Sequence, residues 1–259
     1  MIMIPESALR FGFDNGPGGA HTSRTMMLSE LQLLLAACPS PATYAEYRAA
    51  ILEENCLLKQ TATTRLRSLR ALRELYSLDR RVLIFRALRD LWDADAGAQP
   101  LLACLCANAR DPLLRSSADL ILGVAPGEAV TASGLSTAIV EAFPGHYNSA
   151  ILLKIGRNAA SSWEQSGHVA RRQPKVRSHA RSSPAATAYA LLLGHLCDVR
   201  GDFLFGTLWA RLLDTPMSLL HEHALAAHQQ GWLEYRRSGD VTEVSFRHLL
   251  RQENASPLK

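Results

Sequence analysis

Thr61-Ala62-Thr63-Thr64-Arg65-Leu66-Arg67-Ser68-Leu69-Arg70-Ala71-Leu72-Arg73-Glu74-Leu75-Tyr76 is the stretch that decides the fold. At about 100° per residue, Leu66, Leu69, Leu72, Leu75 and Tyr76 gather on one face of a helix. Arg67 and Arg70 fall on the opposite face, with Arg65 and Arg73 toward its flanks. The threonine cluster supplies the side-chain oxygens that an N-cap needs, so the spacing predicts a helix from about Thr61 to Tyr76. Its three hydroxyls, and the free N–H groups of its first turn, are a place where phosphate can bind.

Two further helical patterns precede it. Met26, Met27, Leu31, Leu34 and Leu35 carry one from near Thr22 to Cys38-Pro39, and Tyr44, Tyr47, Ile51 and Leu52 carry the next. The three form a tri-helical unit over 22–78, winged-helix-like in outline, in which Thr61–Tyr76 holds the position of a recognition helix. Residues 1–21 end in Asp14-Asn15-Gly16-Pro17-Gly18-Gly19 and read as a flexible start.

Toward the C-terminus, 79–166 is a central helical region. Its helices are expected at Asp79 to Trp92, Pro100 to Asn108, Asp111-Pro112 to Leu122, Ser133 to Ala142 and Ser149 to Ser162. The segment 167–184 reads as a loop, hairpin or linker and as the domain boundary. Helices at Ala185 to Cys197, Phe203 to Leu213 and Pro216 to Gln230 follow. Trp232 to Arg236 and Val241 to Phe246 then alternate across Ser238-Gly239-Asp240, which predicts a terminal β-hairpin. Three helices and a hairpin are the order of a winged helix, here over 185–250, with a tail at 251–259. The expected fold is mainly α: helical bundle units, winged-helix-like N- and C-terminal domains and one small β-hairpin.

The chain has 259 residues, of which 47% are hydrophobic and 20% charged. That composition excludes collagenous, coiled-coil and disordered classes. The net charge is only +4, yet the 28 basic residues divide into 24 Arg and four Lys (Lys59, Lys154, Lys175 and Lys259). The arginine fork suits phosphate and guanine edges, although a GC-rich genome produces the same bias. Placement must decide. Nine basic residues lie between Lys59 and Arg89 against Glu74 and Asp79. Arg171, Arg172, Lys175, Arg177 and Arg181 crowd a second segment with no acid of its own. Arg236 and Arg237 sit on the hairpin.

The candidate DNA-binding residues are therefore Lys59, Thr61, Thr63, Thr64, Arg65, Arg67, Arg70, Arg73, Arg171, Arg172, Lys175, Arg177, Arg236 and Arg237. No catalytic or metal site is expected. The five cysteines are scattered without a Cys-x-x-Cys pair, as for buried thiols in a reducing cytoplasm. His221-Glu222-His223 diverges on a helix and lacks the His-Glu-x-x-His spacing. Ser162 and His168 lie close in sequence without a nucleophile elbow or a partner acid placed by spacing, and Trp163 between them reads as a packing residue. No phosphate-binding glycine loop is present, so no cofactor is expected. No run approaches about 18 apolar residues, and no signal peptide opens the chain, so the reading is a cytoplasmic protein without a membrane span.

Lys59-Gln60-Thr61-Ala62-Thr63-Thr64-Arg65, running on through Leu69, Leu72 and Leu75-Tyr76, resembles the Thr-rich, Arg-bearing helix start of the BrxA family. The later order is also similar to that family: Ser162-Trp163, a basic stretch, a helical block and a terminal wing. The resemblance covers about 22–250. It implies a largely helical, non-enzymatic, cytoplasmic DNA-binding accessory protein of BREX bacteriophage-defence systems, with double-stranded DNA and other defence proteins as partners. Gly167 after Ser166, and a C-terminal third helix without Arg or Lys, depart from the pattern. The alternatives are a helical scaffold that binds partner proteins and an RNA-binding protein.

Overall fold

In the computed structural model, which describes residues 4–239 and 241–251, helices carry the architecture and strands occur only as two antiparallel hairpins. The N-terminal helices are α1 (Glu6–Leu9), α2 (Leu28–Ala37), α3 (Tyr44–Leu52) and α4 (Ala62–Tyr76). A 3-10 turn, Ala20–Thr22, precedes α2. The central helices are α5 (Leu83–Trp92), α6 (Gln99–Arg110), α7 (Pro112–Ser116), α8 (Ala118–Gly123), α9 (Ala132–Ala142) and α10 (Ser149–Gln165). Strands β1 (Val169–Ala170) and β2 (Val176–Arg177) follow, then α11 (Pro184–Leu196), α12 (Leu208–Arg211), α13 (Met217–Gln229), β3 (Glu234–Ser238) and β4 (Val241–Ser245).

The Thr61 hydroxyl accepts the Thr64 N–H at 3.2 Å and starts α4 at the predicted place. Leu69, Leu72, Leu75 and Tyr76 are buried, whereas Leu66, assigned to the same face, stays 39% exposed at the helix start. Thr43 and Glu46 close a reciprocal capping box on α3. Elsewhere single expected helices divide. The segment 112–123 breaks at Ser117 into α7 and α8, and 203–213 is a 3-10 turn, Gly201–Gly206, followed by α12. Pro216 is the N-cap of α13, one position before its expected place inside the helix.

One apolar core runs from Ile4 to Leu249 through all three helical regions. Its centre is α6 and α11, whose residues Leu101–Ala107 and Ala185–Leu193 are almost wholly buried. A two-sided apolar helix belongs inside a larger bundle. The residues before Thr22, read as flexible, are instead tied down from Ile4 onward. Ala8, Phe13 and Ala20 enter the core, and Arg115 Nη2 donates to the Asp14 carbonyl at 2.6 Å. The segment 167–184 forms β1–β2 in the register Val169↔Arg177, and Val176 also bridges to Ala129. At the other end β3 and β4 pair as Glu234↔Ser245 through Ser238↔Val241. Asp240, and the tail from 252 on, lie outside the described residues.

Candidate nucleic-acid interface

Many arginines of this chain are occupied inside it. Helices leave their last four carbonyls without intrahelical donors, and arginines from distant segments reach several of these ends. Arg65 donates to Leu52 at the end of α3, at 2.6 Å. Arg89 donates to Leu35 and Cys38 at the end of α2, at 3.3 and 3.2 Å. Arg110 reaches Glu74 on α4, Arg115 reaches Asn108 and Ala109 on α6, Arg177 reaches Ile121 on α8, and Arg200 reaches His195 on α11. A fork with five donors serves two or three carbonyls at once, and its charge complements the negative helix end. Arg115 lies deep enough that burial lowers it to about 10, against the nearby Asp111 and Asp14 charges.

Several of the expected DNA-contact residues have partners within the chain. Lys59 pairs with Glu30 at 3.0 Å. Arg65 is held by Leu52. The Thr61 and Thr64 hydroxyls are 2.9 Å apart and satisfy one another and the helix start, while Thr63 stays exposed. Arg73 stacks on Tyr44, its guanidinium 5.1 Å from the ring centre. In the basic segment, Lys175 bonds to Glu164 and Arg171 lies 3.6 Å from the same carboxylate. Arg177 is buried, with both Nη atoms on the Asp214 carboxylate at 2.8 and 2.7 Å. Burial raises the Asp214 carboxyl, but the Arg177 hydrogen bonds, the Ala180 N–H and the Arg177 charge outweigh it and hold it below the usual range. The segment has no acid of its own, and the acids that pair with it, Glu164 and Asp214, lie outside it in sequence. Arg172, Arg236 and Arg237 remain exposed, with Glu243 across the strand pair from Arg236.

Arg67 and Arg70 have a different setting. Apolar contacts anchor the inner face of α4, so both guanidinium groups project to solvent. They line a cleft of about 420 Å³ with Ser23, Arg24, Ala71, Glu74 and Lys154. Ser23 and Arg24, just after the 3-10 turn at Ala20–Thr22, line one part of it, and Lys154 on α10 another. Arg67, Arg70 and Lys154 make no side-chain hydrogen bond or ion pair among the described residues, and Arg24 donates only to the adjacent Ser23 carbonyl, at 3.3 Å. Four cations and one carboxylate thus share one concavity. Burial, then the Asp111 and Asp14 charges, push the Glu74 carboxyl up, against His21 and Arg110. Arg24 and Lys154 were not foreseen as site residues. Nothing in their local sequence marks them, because tertiary packing alone brings the three segments together.

Beneath this cleft lies an arrangement that sequence reading missed. His21 Nδ1 is 2.7 Å from Asp111 Oδ2, and His21 Nε2 is 2.8 Å from Ser162 Oγ. The connectivity is that of a Ser-His-acid triad, but its setting is structural. Side chains of His21, Asp111 and Ser162 are buried, leaving no face for a substrate. Ser162 Oγ also accepts the Met26 N–H at 2.8 Å and contacts the Asn158 carbonyl at 2.9 Å. Asp111 caps α7 through the Leu113 and Leu114 N–H groups and accepts the His21 N–H at 3.0 Å. Asn158 Nδ2 donates to the His21 carbonyl at 2.8 Å, which ties the 3-10 turn to α10. Gly19 passes so close that a Cβ there would sit 2.2 Å from Asp111 Oδ1.

The other side chains singled out by sequence make their contacts within the chain. Trp163 is buried and donates to Ser117 Oγ at 2.9 Å, and His168 stacks edge-on against it. His221 lies on Phe205, with ring centres 4.2 Å apart, and bonds to the Tyr235 hydroxyl at 2.9 Å. No group of three His, Cys, Asp or Glu residues gathers as a metal site among the described residues. No helix of these residues is long and apolar enough to cross a membrane. No family model matches the chain, and no curated protein matches it.

Proposed function

We propose that this protein is a non-enzymatic, cytoplasmic double-stranded DNA-binding accessory protein that takes DNA phosphates in the cleft of Arg24, Arg67, Arg70 and Lys154. Its likeness to BrxA at 59–76 and 162–163 makes bacteriophage defence, beside other defence proteins, the proposed setting. The observation that carries the reading is the cleft itself. In a chain that spends many arginines on its own carbonyls and carboxylates, three arginines and a lysine converge there without an internal acceptor beyond one adjacent carbonyl. Such forks bind phosphate through charge-assisted hydrogen bonds and supply affinity without base readout. The order α11, α12, α13, β3, β4 suits a winged helix, in which Arg236 and Arg237 on the wing would add backbone contacts.

The test is a salt-dependent mobility shift with duplex DNA, single-stranded DNA and RNA. Replacing Arg67 and Arg70 together with Ala weakens duplex binding roughly tenfold or more at moderate salt, at about 1 kcal/mol for each phosphate contact. Replacing His221 and His223 leaves it unchanged. Loss of binding in the histidine pair and none in the arginine pair refutes the assignment.

A scaffold reading has one observation of its own. Phe203 and Val241 are 83% and 71% exposed, on segments joined by the Asp202–Thr242 hydrogen bond at 3.0 Å. Absence of duplex binding at every salt concentration favours it.

A further inference from the structure

An anion site seldom keeps a carboxylate among its cations, because the like charge opposes the ligand. Here Glu74 lines the cleft with Arg67 and Arg70 on its own helix, Ser23 and Arg24 just after the 3-10 turn, and Lys154 on α10. Behind it stand Asp14, His21 and Asp111 from the N-terminal segment and the start of α7, and Arg110 from the end of α6. Its carboxylate makes no hydrogen bond or ion pair among the described residues. Arg110 Nε bonds at 2.9 Å to the Glu74 main-chain carbonyl and leaves the carboxylate unpaired.

We infer that the cleft binds each phosphate together with one proton, which the Glu74 carboxylate takes up from solvent. The inference rests on the DNA-binding reading of the cleft. In an empty cleft the ionised Glu74 shares the concavity with four cations and feels the His21 and Arg110 charges behind it. A phosphodiester entering the same space competes for those cations and repels the carboxylate. Protonation removes the repulsion and turns Glu74 from an acceptor into a donor able to bond a phosphate oxygen. Partial burial and the fixed charges of Asp14 and Asp111 already favour the neutral carboxyl, so uptake begins from an advantageous position. Glu74 is thereby a specificity-determining residue that favours binding in mildly acidic conditions.

The sign follows from linkage. If the complex holds one more proton than the free protein, affinity rises as pH falls, with a limiting slope of about tenfold per pH unit. The probe is a short DNA duplex, whose phosphodiesters do not titrate in this range, at constant ionic strength from pH 8 to pH 5. The wild type binds several-fold more tightly at the acidic end. Glu74→Gln binds more tightly than wild type at pH 8 and has a markedly flatter profile, the residual slope reporting the histidines. Calorimetry in buffers of different ionisation enthalpy reads the proton directly, and circular dichroism reports the fold.

If Arg67→Ala/Arg70→Ala weakens binding while Glu74→Gln retains the wild-type slope, the proton inference falls and the DNA reading stands. Weaker binding by Glu74→Gln also overturns it, since the carboxylate would then be accepting a hydrogen bond from the ligand. If the arginine pair binds DNA as wild type does, both readings fall.

Discussion

Arg177→Ala separates the two roles that an arginine in a basic segment can have. In the wild type this side chain bonds both Asp214 oxygens at 2.7 and 2.8 Å, the Ile121 carbonyl at 2.8 Å and the His168 carbonyl at 3.1 Å. Truncation leaves Asp214 with the Ala180 N–H at 3.0 Å and His179 at 3.4 Å, and strips donors from the carbonyls. Breaking a buried ion pair from one side costs about 3–5 kcal/mol. Asp214 keeps one backbone donor and some solvent, so the lower end applies, about 3 kcal/mol. For a chain of this size that is a fall in Tm of roughly 6–12 °C. Urea titration and thermal melts measure it, and a mobility shift well below the new Tm measures DNA affinity. The expected result is a large loss of stability with unchanged affinity. A variant as stable as wild type that has lost duplex binding refutes the buried assignment and returns Arg177 to the DNA surface.

Two further outcomes follow from the same packing. Gly156→Ala on α10 places a Cβ 2.3 Å from both the Ala132 carbonyl oxygen and Ser136 Oγ, so α9 and α10 must separate. A destabilisation of about 1–3 kcal/mol in chemical denaturation is expected, and a neutral result means that the two helices do not touch there. His168 is buried, and burial lowers it from 6.5 to about 4, with the Asp214 charge opposing and the Arg177 charge reinforcing the shift. The unfolded chain therefore binds the extra proton first, and stability is lost as pH falls from about 6.5 toward 4. His168→Gln flattens that part of the stability profile, and an unchanged profile overturns the assignment.

The helix Thr61–Tyr76 is legible in sequence because its signals are local: a threonine cap, a leucine stripe at helical spacing and arginines opposite. The outward direction of Arg67 and Arg70 follows from the same periodicity. Arg24 and Lys154 are not legible, since neither carries a pattern and their meeting depends on the packing of α10 beside the Ala20–Thr22 turn. Ser162 is near His168 in sequence, yet the histidine it bonds is His21, 141 residues away, which Asp111 holds from its other side. The basic segment misled for the same reason: Glu164 precedes it and Asp214 follows it, so a local count of charges finds neither. Arg65 shows the limit of periodicity. Its place on the flank of α4 was read from spacing, but the Leu52 carbonyl that occupies it belongs to a helix end that only the folded chain brings near.

The arginines that close helix ends also shape the field an approaching polymer would meet. A guanidinium that faces only carbonyl dipoles keeps its unit charge at long range, whereas one that faces a carboxylate, as Arg177 faces Asp214, forms a compact pair whose potential dies away quickly. The formal charge of +4 is thus a poor guide to the surface. A field concentrated in one concavity orients an encounter before contact, whereas evenly spread charge only accelerates it. Burial of Arg86, Arg89, Arg115 and Arg177 removes those four from that encounter and leaves it to the cations on the surface.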